Sequence, residues 1–571
     1  MAVMDYVLVV FGHKDIFNSS GLSFDEVVEE VKKYNFYAIS EVISKISLRL
    51  FSGGAFSRQS QGELIQNIFA NSPETIEAIS RYSLSIKHPP VVFIEQTIKI
   101  LQLLALLYSP RSGGEVIPQQ KLGDIGNLVL SLTDFAMPQD ESWKEIREHW
   151  VKQFYSQSEE RLIYRLARYQ IFFKKLLTRT NQLNFESKFV EATGGVSFST
   201  YTMITFFLLV KWINVRGKNP NIGNDWLICK TKYFQDTKLA IDEIDKVLSL
   251  LELPVDNFKN YYDDLNRVFA FETKNIAYNF LFFEKRPLVP IGEGCYVCPS
   301  PYSLMDKATD GVYWILEEYL RDKNANLHNT LPMIWGDVFE EYISDRFEGI
   351  YGKKATNRKV DIYGKGEIDT LCIGSKLILV IESKFAHWKY RAKVTGLKTD
   401  MESTLKQLFS KKKGIGQLNS NIQNMLTTKL NYDVNKDNNK ILPILVVGEP
   451  MPMDALNRNL YESFAKSEEA WIKFDNRVLP PIILDAEEVE MIEGIGSSDL
   501  NLAERLLCGY SEVFKKKNPR GAYSNSDTFK NYLFGHLTPP FPVNSLLDKT
   551  FKQMSDVVTL KAFPSSSKTT G

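Results

Sequence analysis

Cysteine, net charge and long apolar runs are all scarce in this 571-residue chain. Its five cysteines are odd in number and thinly spread, which argues against a disulfide framework and for a reducing compartment. Basic and acidic residues number 69 each, so any contact with nucleic acid has to be a local patch rather than a property of the whole chain. The most apolar windows, "TIKILQLLALLY" and "YTMITFFLLVKWI", fall short of the roughly 18 uncharged residues that spanning a bilayer demands. The N-terminal "MAVMDYVLVVFGHKD" has no basic stretch before its apolar run and no small-residue cleavage site after it, and reads as a first strand or buried segment. A cytoplasmic protein without membrane contact is expected. Also missing are GxxxxGK[ST], GxSxG and HExxH, which removes an integral P-loop motor and the commonest hydrolase alternatives.

What is present is an ordinary globular composition, 44% hydrophobic and 24% charged, in a chain long enough for several domains. From Ser23 to about Leu265 the texture is helical. "SFDEVVEEVKKY" opens with a capping box, Ser23 followed three residues later by Glu26, and "SPETIEAISRY" places Pro73 in a first helical turn. Further helices are expected in "FIEQTIKILQLLALL", "SWKEIREHWVKQF", "EERLIYRLARYQIFFKKLL" and "KLAIDEIDKVLSLLEL". Near Val268 the pattern changes to β-type residues, glycine turns and prolines in "VFAFET" and "KRPLVPIGEGCYVCPSPYSL". These shifts divide the chain into a mainly α-helical region, 1–267, for recognition, regulation or partner binding, and a region 268–571 ending in a small polar tail, about 563–571, of disordered composition. Within the second region a helix in "PMIWGDVFEEYISDRFEGIYG" precedes the strands "RKVDIYG", "EIDTLCI" and "KLILVIESKF", a basic helical stretch and the strand "ILPILVVG". That order implies an α/β fold with a central mixed sheet flanked by helices.

The strand "KLILVIESKF" is apolar until it ends in Glu382, Ser383 and Lys384. Residues two apart on a strand share a face, so Glu382 and Lys384 project together. A hairpin around Gly374 and Ser375 brings Asp369 of the preceding strand alongside. Two adjacent carboxylates repel unless a cation lies between them, and hard oxygen donors suit Mg²⁺ or Mn²⁺. A divalent ion held by Asp369, Glu382 and the Ser383 carbonyl keeps waters that can attack phosphorus, with Lys384 orienting one or helping to deprotonate it.

Asp369, a gap of twelve residues, then Glu382-Ser383-Lys384 at the end of an apolar strand resembles the PD-(D/E)xK, or restriction-endonuclease-like, nuclease superfamily. The resemblance covers about Gly336 to Val447 and implies a restriction-endonuclease-like core at about 330–450, in which the Asp and Glu hold the metal and the Lys assists the nucleophilic water. It adds an acid on the preceding helix, Glu340 within Gly336, Phe339, Glu340 and Tyr342, with Glu341 as the fallback. It also adds a glutamine on the following helix, Gln417, with Gln407 as a weaker candidate. Ile368 stands where the superfamily often has proline. The implied function is a metal-dependent nuclease hydrolysing phosphodiester bonds in DNA. The large accessory region resembles the control regions of bacterial restriction and antiphage effectors. An RNA-cleaving nuclease, and a non-catalytic nucleic-acid or protein-binding scaffold that keeps the fold, are the alternatives. A homodimer and a protein partner for the helical region both stay open.

Between Lys384 and Gly416 nine basic residues face only Asp400 and Glu402. Lys389, Arg391, Lys393 and the run Lys411, Lys412, Lys413 are therefore the expected contacts to a phosphate backbone. Trp388 and Tyr390 suit base stacking or core packing equally, and His387 suits a substrate contact or none. The lone CxxC of Cys295 and Cys298 lacks a second ligand pair for zinc, and both cysteines are expected to be buried as small apolar side chains.

Overall fold

The computed structural model describes residues 10–53, 57–136, parts of 142–152, and 162–180, 183–215, 227–269, 278–428, 439–470, 477–513, 528–537 and 545–562, apart from 236, 293, 324 and 454. The expected first strand before residue 10, most of the "SWKEIREHWVKQF" helix, the last four residues of "VFAFET" and the polar tail lie outside the described residues, while Val268 and Phe269 end helix Phe258–Phe269 instead of opening a β-type segment. The protein is mixed α/β, with a mainly helical N-terminal half and a five-stranded mixed sheet in the C-terminal half. No helix among the described residues is long and apolar enough to cross a membrane.

The chain forms two compact units, and neither is continuous. The helical unit is built mainly from Leu8–Glu159 and Glu186–Tyr319, and the sheet unit from Glu160–Phe185 and Leu320–Gln553. The expected single boundary after residue 267 thus falls inside the helical unit.

In the helical unit the expected capping box forms: Ser23 caps helix Phe24–Val31, and the Glu26 carboxylate accepts the Ser23 N–H. The apolar window at 97–108 becomes helix Glu95–Tyr108, which buries every residue from Gln96 to Leu106. A helix apolar on all sides belongs in a core rather than on a surface. The cysteine expectation is corrected here. Antiparallel pairing of Ile228–Cys229 with Cys295–Val297 sets Cys229 opposite Cys295, and the two form a disulfide across 66 residues of sequence. Of the CxxC pair, Cys298 is the one buried as a free thiol, giving its S–H to the Ser300 carbonyl. The spacing to Cys298 was visible in the sequence, whereas the strand pairing was not.

The sheet unit holds helix α1 (Leu162–Leu177), the long helix α2 (Ala325–Tyr351), strands β1 (Thr356–Asp361), β2 (Glu367–Ile373) and β3 (Leu377–Lys384), helices α3 (Tyr390–Thr395), α4 (Lys398–Phe409) and α5 (Ile415–Thr427), strand β4 (Lys440–Val447), strand β5 (Ile482–Asp485) and helix α6 (Ala486–Gly496). The sheet order is β1-β2-β3-β4-β5, antiparallel across the first three strands and parallel from β3 to β5. β3 is central and its side chains from Leu377 to Ser383 are buried, as expected of a strand covered on both faces. α2 begins seven residues before the expected Pro332 and carries that proline in its interior. Its buried Leu331, Trp335, Val338, Phe339, Tyr342 and Ile343 recur at three- and four-residue spacing, the period that lays one helix face on a sheet.

α1 comes from the sequence region read as N-terminal, yet it packs on α2. Phe172 and Phe173 of α1 meet Phe339, Tyr342 and Trp335 of α2, and a buried ionic junction accompanies these contacts. The Arg168 guanidinium of α1 grips both oxygens of the Glu490 carboxylate on α6, Nη2–Oε2 being 3.1 Å, and Tyr342 of α2 donates to Glu490 Oε1 at 2.7 Å. Arg346 of α2 reaches Glu493 one turn along α6 at 3.2 Å. Removing one member of such a pair strands the other in a low-dielectric interior, at about 3–5 kcal/mol, whereas apolar replacement of both is near neutral. Arg168→Met should therefore destabilise the sheet unit by about that amount in chemical denaturation, and Arg168→Met combined with Glu490→Met should recover most of the loss.

Candidate active site

The β2–β3 ladder pairs Thr370 with Ile381 and Leu371 with Val380, and the two-residue turn closes with the Gly374 N–H on the Leu377 carbonyl at 2.9 Å. Continued one step, this register sets Asp369 opposite Glu382. The Ser383 N–H donates to Asp369 Oδ2 at 2.8 Å and locks the pair. Lys384 folds back to donate to Glu382 Oε1. The three expected residues are therefore gathered at the end of β3, on the edge of the sheet where the parallel strands β3 and β4 both terminate. Carboxyl ends of parallel strands are where open α/β sheets bind ligands.

The electrostatics of this end are unusual. Glu382 has no solvent exposure, and its Oε2 has no hydrogen-bond partner in the protein. Burial, then the neighbouring Asp369 and Glu340 carboxylates, push Glu382 up to about 8 against the pull of Lys384. Burial also raises Asp369, partly offset by Lys384 and the Ser383 N–H. On α2, Glu340 is pushed up to about 7 by burial and by Asp369. Burial alone would lower Lys384, but Glu382 and Asp369 outweigh it and hold the ammonium charged. Asp369 contributes to the raised pKa of both Glu340 and Glu382, and three raised carboxylates at one strand end mark a place where a proton or a cation has to sit.

Glu340 is thus the acid of α2 at the site. Glu341 points elsewhere, to Lys175 of α1 and to Arg179 just past its end. α2 is pinned to β2 beside Asp369 by the Ser344–Thr370 hydroxyl pair at 2.6 Å. Gln417 is half-buried near the start of α5, one turn before Asn421, whose amide donates to the Glu367 carbonyl at 2.7 Å. Gln417 itself makes no hydrogen bond to Asp369, Glu382 or Lys384, and Gln407 is exposed on α4.

The basic segment divides. Lys389, Lys412 and Lys413 are exposed, while Arg391 pairs with Asp400 at 3.0 Å and Lys411 with Glu469 at 2.6 Å. Lys393 is tied to Glu449, just past β4, which also accepts the Trp388 N–H at 2.9 Å and lies 3.8 Å from His387 Nδ1. Burial opposes ionisation of Glu449, but Lys393 and His387 prevail and hold it down at about 2. Trp388 is buried, so core packing is its role. A Cβ on Gly448 would lie 2.3 Å from the Phe385 ring, so glycine there lets the residue after Lys384 pack inward.

Two residues of this region were not expected from the sequence. One is Glu449. The other is Lys359 on β1, which the ladder places opposite Asp369 and whose ammonium lies 3.6 Å from Glu340 Oε1. Its φ of 49° is left-handed, a conformation that costs a non-glycine residue roughly 1–3 kcal/mol.

Among the described residues no three His, Cys, Asp or Glu side chains are already drawn together at metal-ligand distance. Asp369 and Glu382 nevertheless fit a hard cation, since both are oxygen donors, both are buried, and Glu382 Oε2 is unsatisfied. The raised acids fix the sign of a pH effect. The folded protein holds the Glu382 proton more tightly than the unfolded chain, so stability without metal falls as pH rises from about 4.5 toward 8. In EDTA, Glu382→Gln should flatten that part of the thermal-stability profile and be the more stable protein at pH 8, while Mg²⁺ or Mn²⁺ should stabilise the wild type at pH 8 and not the variant. No family model, no curated protein and no solved structure matches this chain, and the chemistry of the site follows from its own residues.

Proposed function

We propose that the sheet unit is a metal-dependent phosphodiesterase of the PD-(D/E)xK, restriction-endonuclease-like class, acting on DNA. The observation that carries this reading is the antiparallel pairing that buries Asp369 against Glu382 with Lys384 hydrogen-bonded beside them. An ordinary surface Glu–Lys pair would be solvated, and would not leave a carboxylate oxygen buried and unpartnered.

Asp369, Glu382 and the Ser383 carbonyl would hold Mg²⁺ or Mn²⁺, with Glu340 supporting a coordinated water. When bound, the ion supplies Lewis acidity to the phosphate and lowers the pKa of a water. Lys384, whose ammonium lies against the Glu382 carboxylate, would orient the attacking water or help to deprotonate it, and would offset charge. In the reaction the water oxygen bonds to phosphorus as the bond from phosphorus to the leaving ester oxygen breaks. The water releases its proton to solvent, and the leaving oxygen takes one up.

Gln417, near the start of α5, would touch the site as the resemblance implies, although it makes no hydrogen bond to Asp369, Glu382 or Lys384. Lys389, Lys412 and Lys413 carry free positive charge suited to a phosphate backbone, and Arg391, Lys393 and Lys411 contribute only if they exchange a carboxylate partner for a phosphate. The accessory helical unit fits a nuclease held under the control of a trigger, as in restriction and antiphage systems.

The test is incubation of the full chain with supercoiled plasmid, linear duplex, single-stranded DNA and RNA, in Mg²⁺, Mn²⁺ or EDTA. Cutting of DNA that needs the metal and falls at least about 10²-fold in both Asp369→Ala and Lys384→Ala is expected. Cutting of RNA alone would reassign the substrate. Binding of nucleic acid with no cleavage under any of these conditions would favour a scaffold that keeps the fold.

A further inference from the structure

Five non-glycine residues among those described have a left-handed φ. Asn18 and Lys87 each cap a helix, Glu469 follows helix Ala455–Ser467, and Tyr363 lies in the hairpin turn between β1 and β2. Lys359 alone lies inside a strand, bracketed by the pairs Arg358–Thr370 and Val360–Ile368 that keep the ladder intact on either side. The distortion is confined to the one residue facing Asp369.

Nothing structural repays it. The Glu340 contact of Lys359 is 3.6 Å long and the lysine side chain is 59% exposed, so the pair contributes little against water. What the distortion achieves is placement. β2 runs between β1 and β3, so Lys359 and Lys384 flank Asp369 from its two neighbouring strands, the Lys359 ammonium lying 3.6 Å from Glu340 and the Lys384 ammonium on Glu382. Lys384 is half-buried and committed to Glu382, whereas Lys359 keeps its end in solvent, within reach of an arriving anion. Strain held at one residue opposite a buried carboxylate, at a site that leaves Glu382 Oε2 unsatisfied, is the pattern of a functional constraint.

On the nuclease reading of this site, we propose that Lys359 is its second lysine, poised on the strained part of β1 to leave the Glu340 carboxylate and bind a non-bridging oxygen of the scissile phosphodiester. In the free protein its ammonium balances Glu340. With substrate present it takes the phosphate oxygen, leaves the Glu340 carboxylate able to accept from a water that the ion would hold, and offsets the negative charge that grows on phosphate oxygens as the water adds. The competing explanation is that Lys359 guards the edge of the sheet, since β1 is an edge strand and a charged, distorted residue there discourages pairing with another chain.

The experiment compares Lys359→Met, Lys359→Arg, Lys359→Gly and Asp369→Ala in the full-length protein, reading plasmid cleavage with Mg²⁺ at saturating DNA, thermal midpoint and aggregation. Lys359→Met should lower turnover at least about 10-fold with little change in the DNA concentration needed for half-maximal rate, and Lys359→Arg should retain most of the activity. Lys359→Gly should lose as much turnover as Lys359→Met while its thermal midpoint rises, because glycine adopts the left-handed φ freely. A residue that merely supported the fold would not become slower and more stable together. Wild-type turnover in Lys359→Met and Lys359→Gly, beside an inactive Asp369→Ala, would overturn the proposal and leave the nuclease site standing; added aggregation in those variants would then identify edge protection. If the wild type cuts nothing, or if Asp369→Ala cuts as well as it does, the nuclease reading fails and this role for Lys359 falls with it.

Discussion

Asp369 and Glu382 are held face to face by the hydrogen-bond ladder between β2 and β3, at the point where the central, buried strand of the sheet ends. Everything else in this region can be read as a response to that placement. Water is excluded from Glu382, so its charge has to be balanced within the protein, and Lys384, the Ser383 N–H and the proton favoured by a raised pKa each supply part of the balance. The unsatisfied Glu382 oxygen is the part left over. It is a local sacrifice of stability, and such sacrifices gather at functional sites because only function retains them.

The surroundings hold this arrangement from behind. Phe385, directly after Lys384, meets Phe172 of α1 and Phe339 of α2, the residue before Glu340. One aromatic cluster therefore links the chain just past the lysine to the helix that carries the third acid. The ionic junction of Arg168, Glu490 and Tyr342 lies on the same helices and restricts how α1, α2 and α6 can slide. Thus α1, which the chain contributes between two segments of the helical unit, is structurally part of the support of the site. Chain continuity through α1 gives the helical unit a covalent route to that support.

Much of the site was legible from the residues because the rules involved are local. Period-two alternation puts Glu382 and Lys384 on one face whatever lies around them, and a short Gly-Ser-Lys turn brings β2 back along β3. The Ser23 capping box and the boundaries of β2, β3 and β4 follow from the same kind of rule. Choosing Glu340 over Glu341 needed the tertiary structure, since both are helical carboxylates one residue apart and only the basic face of α1 shows that Glu341 is already engaged. The basic run was read as a set of phosphate contacts, yet acids remote in sequence, Glu449 and Glu469, claim Lys393 and Lys411.

The sequence by itself determined the order of helices and strands, the mixed sheet that the order implies, and the shared face of the Glu–Lys pair, because backbone periodicity and turn chemistry act over a few residues. Only the tertiary structure decided which acids are buried, which lysines are already paired, that Cys229 meets Cys295, that α1 belongs with the sheet, and that Lys359 stands opposite Asp369. These depend on strand register and desolvation, and both are set by contacts between residues far apart in the chain.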